Sequence, residues 1–257
     1  MLNFRTTNFV FTALSVLLIL LIIQLNVSWW FFALLASVYL ILLVIGSSRI
    51  SSNFFLPVIC RSGDNSKSIA ITFDDGPAAD FTPQILDILR KNNTPATFFC
   101  IGKNALEQAD IIRRIDQEGH LLGNHSLSHD FFFDFYSGKK ISAELRKTNA
   151  IVRSIAGKEM KYFRPPYGVT TPNIAAAVRE TKFHTIGWSV RTLDTVIKDR
   201  EKLLKKVTKN LKAGDIILFH DTVDVTVHVL QDFIDRVLKQ GFQIVRLDRL
   251  INIPAYA

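Results

Sequence analysis

Ser68-Ile69-Ala70-Ile71-Thr72-Phe73-Asp74-Asp75-Gly76-Pro77 is an apolar β-type run that stops at two carboxylates and a turn signal. The next segment, Thr82-Pro83-Gln84-Ile85-Leu86-Asp87-Ile88-Leu89-Arg90, has a helical stripe. Thr82 can cap it, Pro83 suits its first turn, and Ile85, Leu86, Ile88 and Leu89 face inward. This strand-turn-helix order recurs about every twenty-five residues to the C-terminus, which implies βα units and parallel strands. Strands are expected at 68–73, 96–101, 121–123, 161–164, 184–190, 215–219 and 242–247, seven in all. Helical stripes run through 104–118, 141–155, 172–181, 200–211 and 225–239. An irregular (β/α) barrel of about seven strands is the expected α/β fold, with an open doubly wound sheet as the alternative.

With 257 residues and 48% apolar side chains, the chain has ample core for one large domain or two small ones, which excludes a disordered or collagenous polypeptide. Upstream of the barrel, 9–25 and 29–45 are apolar and uncharged, each close to the length that crosses a bilayer. They predict a two-helix transmembrane hairpin over 1–46, turning at Asn26-Val27-Ser28, then a linker at 47–66 and the βα domain at 67–252. A signal peptide followed by a buried helix is the competing reading, but the first run lacks a small-residue cleavage site. Trp29 and Trp30 suit an interfacial belt, and Tyr39 suits packing within the hairpin.

Residues 1–61 contain Arg5, Arg49 and Arg61 and no acid, so 28 basic and 23 acidic residues remain beyond. That excess is diffuse, with no basic run or aromatic-interleaved basic motif, and nucleic acid is not expected as a partner. The Lys/Arg bias of Arg5, Arg49, Arg61 and Lys67 over an uncharged turn places both hairpin ends in the cytoplasm. Chemistry on a target outside the cell would need the opposite side, so the side is left open. Cys60 and Cys100 form no disulfide framework.

In a parallel βα barrel the reactive groups belong at the C-terminal strand ends. Asp74 and Asp75 follow the first strand, His125 and His129 the third, Arg164 to Tyr167 the fourth, Asp194 the fifth, and His220 with Asp221 the sixth. Taken alone, Asp-Asp-Gly-Pro is also an ordinary solvated turn. His125 and His129, at i and i+4, are expected to point the same way on one helical turn, and neutral imidazoles suit a divalent metal that also accepts a carboxylate. Without the neighbouring acids a capping or packing role would serve equally. His120, His184 and His228 have no such partner and are expected to be structural or exposed. Together the rim reads as a metal hydrolase: two His and one Asp leave a position for water, and a second Asp is free to take its proton. His220 can protonate the departing group, which matters for an amine.

Thr72-Phe73-Asp74-Asp75-Gly76-Pro77, His125-Ser126-Leu127-Ser128-His129, Arg164-Pro165-Pro166-Tyr167-Gly168 and Leu218-Phe219-His220-Asp221 resemble, in that order, the motifs of the polysaccharide deacetylases. This is the NodB-homology domain, of the carbohydrate esterase 4 type. The resemblance covers about 65–250. It implies an irregular (β/α) barrel and metal-dependent removal of N-acetyl, in some members O-acetyl or N-formyl, groups from sugars. It further implies that Asp75, His125 and His129 hold the metal, commonly zinc, with Asp74 as general base oriented by Arg164. The backbone N–H of Tyr167 would help bind the oxyanion, Pro166 and Tyr167 would contact substrate, Leu218 would line the acetyl pocket, and His220 would be the general acid.

One motif departs from the family pattern. Trp188-Ser189-Val190-Arg191-Thr192-Leu193-Asp194-Thr195 keeps Asp194 but has Arg191 where many members carry an Asp. Arg191 cannot accept a proton from His220, so the carboxylate that tunes the acid is missing or supplied by another residue. Asp194 is expected in the site, without an assigned partner. Phe131, Phe132, Phe133 and Phe135 follow the metal motif; core packing is the simplest role, and if exposed they mark a surface for sugar or lipid. The expectation is a membrane-anchored N-deacetylase of N-acetylated aminosugars in a cell-envelope glycan or oligosaccharide. The alternatives are a deacylase of a lipid-linked sugar precursor and a non-catalytic sugar-binding domain.

Overall fold

In the computed structural model, which describes residues 3–63 and 66–257, β1 (Ser68–Asp74) is buried along its whole length. That is the pattern of a parallel strand covered on both faces. Ile69, Ile71 and Phe73 pack into the layer shared with the helices, while Ala70 belongs to the inner cluster and Thr72 and Asp74 continue its face.

The chain begins with α1 (Phe4–Leu25) and α2 (Trp30–Ser48). After β1 come α3 (Thr82–Lys91), β2 (Ala96–Cys100), α4 (Gly102–Glu107), α5 (Ala109–Gln117), β3 (Leu121–Asn124), α6 (Gly138–Ala156) and β4 (Tyr162–Phe163). The second half holds α7 (Pro172–Thr181), β5 (His184–Thr185), β6 (Val190–Arg191), α8 (Arg200–Thr208), β7 (Ile216–His220), α9 (Asp224–Lys239), β8 (Gln243–Ile244) and α10 (Leu247–Ile251).

The sheet order is β5-β4-β3-β2-β1-β7-β6, with β8 beside the start of β1, and all pairings are parallel. The (β/α) half-barrel agrees with the expectation, with one refinement. The strand expected at 184–190 divides into β5 and β6, and the sheet opens between them.

That opening explains why 47–63 is not a free linker. Ile50, Phe54, Leu56 and Val58 are buried, and Ile59 donates its N–H to Thr185 O (2.9 Å) and accepts from Gly187 N (2.8 Å). Arg61 pairs with the fully buried Asp215 at 2.6 Å. The sequence reading missed this because a single apolar ribbon along an open edge shows no periodicity. The rest of the expected linker includes Asp64 and Asn65, which lie outside the described residues.

The other end of the barrel is plugged. Leu247, Leu250 and Ala255 pack with Ala70, Leu121, Tyr162 and Ile216, and Leu122 N donates to the Tyr256 hydroxyl (2.8 Å). The tail beyond 252 therefore belongs to the fold, and the C-terminal strand ends are the accessible face. Both cysteines are free thiols.

α1 and α2 are longer than the apolar runs read from sequence and both are long and apolar enough to cross a membrane. Tyr39 packs between them, its hydroxyl donating to Asn8 Oδ1 (2.7 Å), while Trp29 and Trp30 stack, exposed, at the turn.

Candidate active site

β1 delivers Asp74 as its last residue, in register with His220 at the end of β7. The next residue, Asp75, takes φ 74, so the two adjacent carboxylates diverge. A brace lies beneath this turn. Asp221 is buried, its Oδ2 accepts the Thr82 hydroxyl (2.6 Å), and a Cβ at Gly76 would collide with its carboxylate. Thr82 thus does not cap α3 as expected; its oxygen is used by Asp221 and by Ala78 N–H (2.7 Å). Burial, which the Thr82 hydrogen bond only partly offsets, pushes the Asp221 pKa up to about 7.

Asp75, His125 and His129 converge, with one ligand atom from each lying within 4.8 Å of the others. His125 Nε2 and His129 Nε2 are 3.3 and 3.4 Å from Asp75 Oδ1. The expected helical turn is absent. Ser126 (φ 66) and His129 (φ 48) are left-handed, and the loop is held by its own polar groups. Asn124 Oδ1 accepts Ser126 N–H (3.0 Å), Ser126 Oγ accepts His129 N–H (3.0 Å), and Glu144 of α6 accepts the Leu127 N–H and the Ser128 hydroxyl, each at 3.2 Å.

His125 Nδ1 lies 2.8 Å from Arg164 O; donation there leaves Nε2 as a lone pair aimed at Asp75. The donor set therefore fits a divalent cation. When the imidazoles are protonated instead, burial still opposes ionisation of Asp75, but the hydrogen bond from His125 and the charges of His125, His129 and His220 hold its carboxyl well below the usual range.

Arg164, fully buried, binds Asp74. Its Nη1 donates to Asp74 Oδ1 (2.6 Å) and Thr72 Oγ1 (2.8 Å), and its Nη2 to Gly187 O (2.8 Å). The guanidinium lies over the Phe99 ring at 4.1 Å, and a Cβ at Gly123 would strike that ring, so the glycine gives the ring its place.

On the other side, His220 Nδ1 lies 2.7 Å from Asp194 Oδ1, while Asp194 Oδ2 accepts the His220 N–H and the Thr226 hydroxyl, both at 2.7 Å. Asp194 is thus the carboxylate partner whose identity the Arg191 substitution left open. Arg191 is exposed, 5.9 Å from the Trp188 ring. Burial disfavours the imidazolium of His220, but the hydrogen bond and charge of Asp194, aided by Asp74 and Asp75, push its pKa up to about 9.

Tyr167 (φ 57) follows buried Pro166 and sets its ring edge-on to His129 at 4.6 Å. Leu218, buried one pleat below His220 on the same face of β7, faces the barrel interior. All ten residues singled out from sequence thus lie on or just beneath one rim. Thr72, Asn124, Glu144 and Thr226 were missed: a lone Thr, Asn or Glu has no spacing signature, and each acts by holding another residue. His120 is structural, with Nδ1 accepting Ala96 N–H (3.1 Å). His184 is exposed and His228 pairs with Asp224 at 3.1 Å.

A parallel half-barrel whose rim gathers two His and one Asp that could hold a cation, flanked by a carboxylate–arginine pair and an imidazole–carboxylate pair, has the groups that a hydrolase needs. Residues 61–186 match the polysaccharide deacetylase family. Two peptidoglycan-N-acetylglucosamine deacetylases of Bacillus cereus are similar, at 36% identity over 68% of this chain and 64% of the relative, and at 33% over 74% and 90%. The chain therefore spans just under two thirds of the first relative and nearly all of the second.

Among solved structures, the Bc1960 peptidoglycan N-acetylglucosamine deacetylase superposes with TM-score 0.74 at 31% identity, over 78% of this chain and 95% of that one. A family 4 carbohydrate esterase pseudoenzyme from Bacillus anthracis also superposes, with TM-score 0.71 at 27% identity, over 76% and 69%. The chain belongs to the polysaccharide deacetylase family, and these N-acetylglucosamine deacetylase relatives are hydrolases of carbon–nitrogen bonds other than peptide bonds. Because that family includes a pseudoenzyme, the case for activity in this chain rests on its own side chains.

Proposed function

We propose that the protein is a membrane-anchored, metal-dependent N-deacetylase of N-acetylated aminosugars in a cell-envelope glycan or oligosaccharide. One observation carries this reading: Asp74 and His220, neighbours across β1 and β7, are held by opposite partners, Arg164 and Asp194. A pure sugar binder needs no such separation of base from acid. The similar proteins named as peptidoglycan-N-acetylglucosamine deacetylases support the substrate class.

Asp75, His125 and His129 would hold the metal, and two imidazoles with one carboxylate suit zinc. Bound there, the ion supplies Lewis acidity that brings a water toward neutral pKa. Asp74, fixed by Arg164, accepts the water proton. The Tyr167 N–H binds the developing oxyanion, Pro166 and Leu218 shape the acetyl pocket, and His220 delivers its proton to the departing amine. α1 and α2 are the two membrane spans, uncharged from Thr6 to Ser48.

The test uses the full chain in detergent with zinc, incubated with peptidoglycan fragments, chito-oligosaccharides and acetylxylan, with released acetate measured. Acetate from the aminosugar substrates, lost on chelation and regained with zinc, is expected. Undiminished release from a metal-free sample would remove the mechanism.

A further inference from the structure

The hairpin and the catalytic mouth share one short stretch of chain, 165–173. The end of α2 is fastened to it, with Thr170 N–H donating to Ser47 O (3.1 Å) and the Ser47 hydroxyl to Thr170 O (2.8 Å). Phe54 lies against Gly46 and accepts the Phe4 N–H at its carbonyl (2.9 Å), so both helices meet the barrel here. Tyr167 comes three residues before Thr170, a reach of at most ~11 Å. The polar layer of one leaflet is about 5–8 Å deep. A mouth tied so closely to the end of a span opens at or just above that layer.

Three residues after Thr170, the Asn173 side chain donates to Tyr136 O (3.0 Å) and fixes the aromatic loop beside the same attachment. Only Phe133 of that loop is packed. Phe131, Phe132 and Phe135 are 76%, 61% and 83% exposed, and the Phe131 ring lies 6.5 Å from that of Tyr167. Leaving such rings in water forgoes roughly 1.5–3 kcal/mol each. Asp130 accepts the Phe132 N–H (2.7 Å). Lys139 and Lys140 follow, exposed, and Arg5 and Arg179 border one cleft with Phe4 and Phe54 at the hairpin's barrel end. Among the described residues, no ion pair joins these four cations to a carboxylate. Lys140 lies over the Tyr136 ring at 3.2 Å. Exposed aromatics beside cations held by no carboxylate, continuous with two spans, match an anionic lipid interface.

We propose that the 131–135 loop is a second membrane contact, seating the mouth in the headgroup layer, and that the site acts on an N-acetylated aminosugar carried by a lipid in that leaflet. The substrate part rests on the deacetylase reading above; the contact part stands apart from it.

The full chain is placed in phosphatidylglycerol-containing liposomes with a polarity-sensitive dye on F135C or, at the plugged end of the barrel, on K158C. Wild type carried through the same labelling corrects for Cys60 and Cys100. Headgroup-nitroxide lipid should quench the dye at 135 and leave it bright at 158; a dye at 135 that stays bright, or equal quenching at both sites, overturns the contact. In the same liposomes, the F131S/F132S/F135S triple variant should lose about tenfold in turnover of a polyprenyl-linked N-acetylaminosugar and keep its rate on soluble chito-oligosaccharide. Equal losses on both substrates, or no loss on either, overturn the proposal. Wild-type turnover of the soluble substrate alone overturns the lipid-linked substrate and leaves the deacetylase intact. Acetate from neither overturns the deacetylase, with the quenching still deciding the contact.

Discussion

Asp194→Asn separates the acid from the rest of the site. Asp194 is fully buried, and its carboxylate takes His220 Nδ1, the His220 N–H and the Thr226 hydroxyl, each at 2.7 Å. The amide keeps the shape and removes the charge. Opposite charges about 4 Å apart at an effective dielectric of ~20 attract by ~4 kcal/mol, and 1.36 kcal/mol moves a pKa by one. Without Asp194, His220 should therefore fall by about two to three, from about 9 toward the ordinary imidazole value.

The sign follows from the role. In the proposed role the working acid is the imidazolium, so kcat/KM falls as pH rises through the His220 pKa, and the variant's alkaline limb should lie about two to three pH units lower. A cation at Asp75, whose Oδ2 is 3.9 Å from His220 Nε2, lowers the limb in both proteins and leaves the difference standing. The assay is kcat/KM against pH on an N-acetylaminosugar, at matched zinc content, with a thermal melt to confirm that the variant is folded. A uniform loss at every pH, with the limb in place, would make Asp194 a brace only and remove His220 as the acid.

Three further outcomes follow from the same geometry. After loading with zinc, Asp74→Asn should retain the metal, measured by elemental analysis, while turnover drops about 10²–10⁴-fold; loss in Asp74→Asn and retention in Asp75→Asn would reverse the two proposed roles. Arg164→Met strands the Asp74 carboxylate inside the barrel and should cost ~3–5 kcal/mol in denaturant unfolding, so a cost below ~1 kcal/mol would refute the buried pair. His220→Ala should slow an acetamide more than an activated ester, whose leaving group needs no proton; equal losses would point to another acid.

The rim was legible in the sequence because strand ends are punctuated: carboxylates, imidazoles and prolines interrupt apolar runs at Asp74, His125, Arg164 and His220. What carried no local signal was contact between distant segments. Asp194 and His220 are 26 residues apart, and nothing in the 188–195 stretch marks which group turns toward β7. Its Arg191 departure drew attention to a missing partner that the fold supplies three residues later. The 125–129 loop misled for a different reason. A spacing of four fits a helical turn, but side-chain caps from Asn124 and Ser126 stabilise left-handed residues that periodicity cannot register.

The two ion pairs also explain why the proposed base and acid can stand on neighbouring strands. Asp74 and His220 are register partners, and left to themselves a carboxylate and an imidazole so placed would pair with each other. Arg164 reaches Asp74 from β4, across the barrel, and occupies one oxygen; Asp194 reaches His220 Nδ1 from the segment after β6, on the opposite side. Each partner is buried, so neither is readily exchanged for water. The short strands and open edge between β5 and β6 serve this arrangement. The chain there is freed from regular pairing, so 186–189 can offer the Ile186 and Gly187 carbonyls to Arg164, while 192–195 turns Asp194 inward. A fully paired strand through 184–190 would have used those carbonyls in the ladder and left the Arg164 guanidinium short of acceptors.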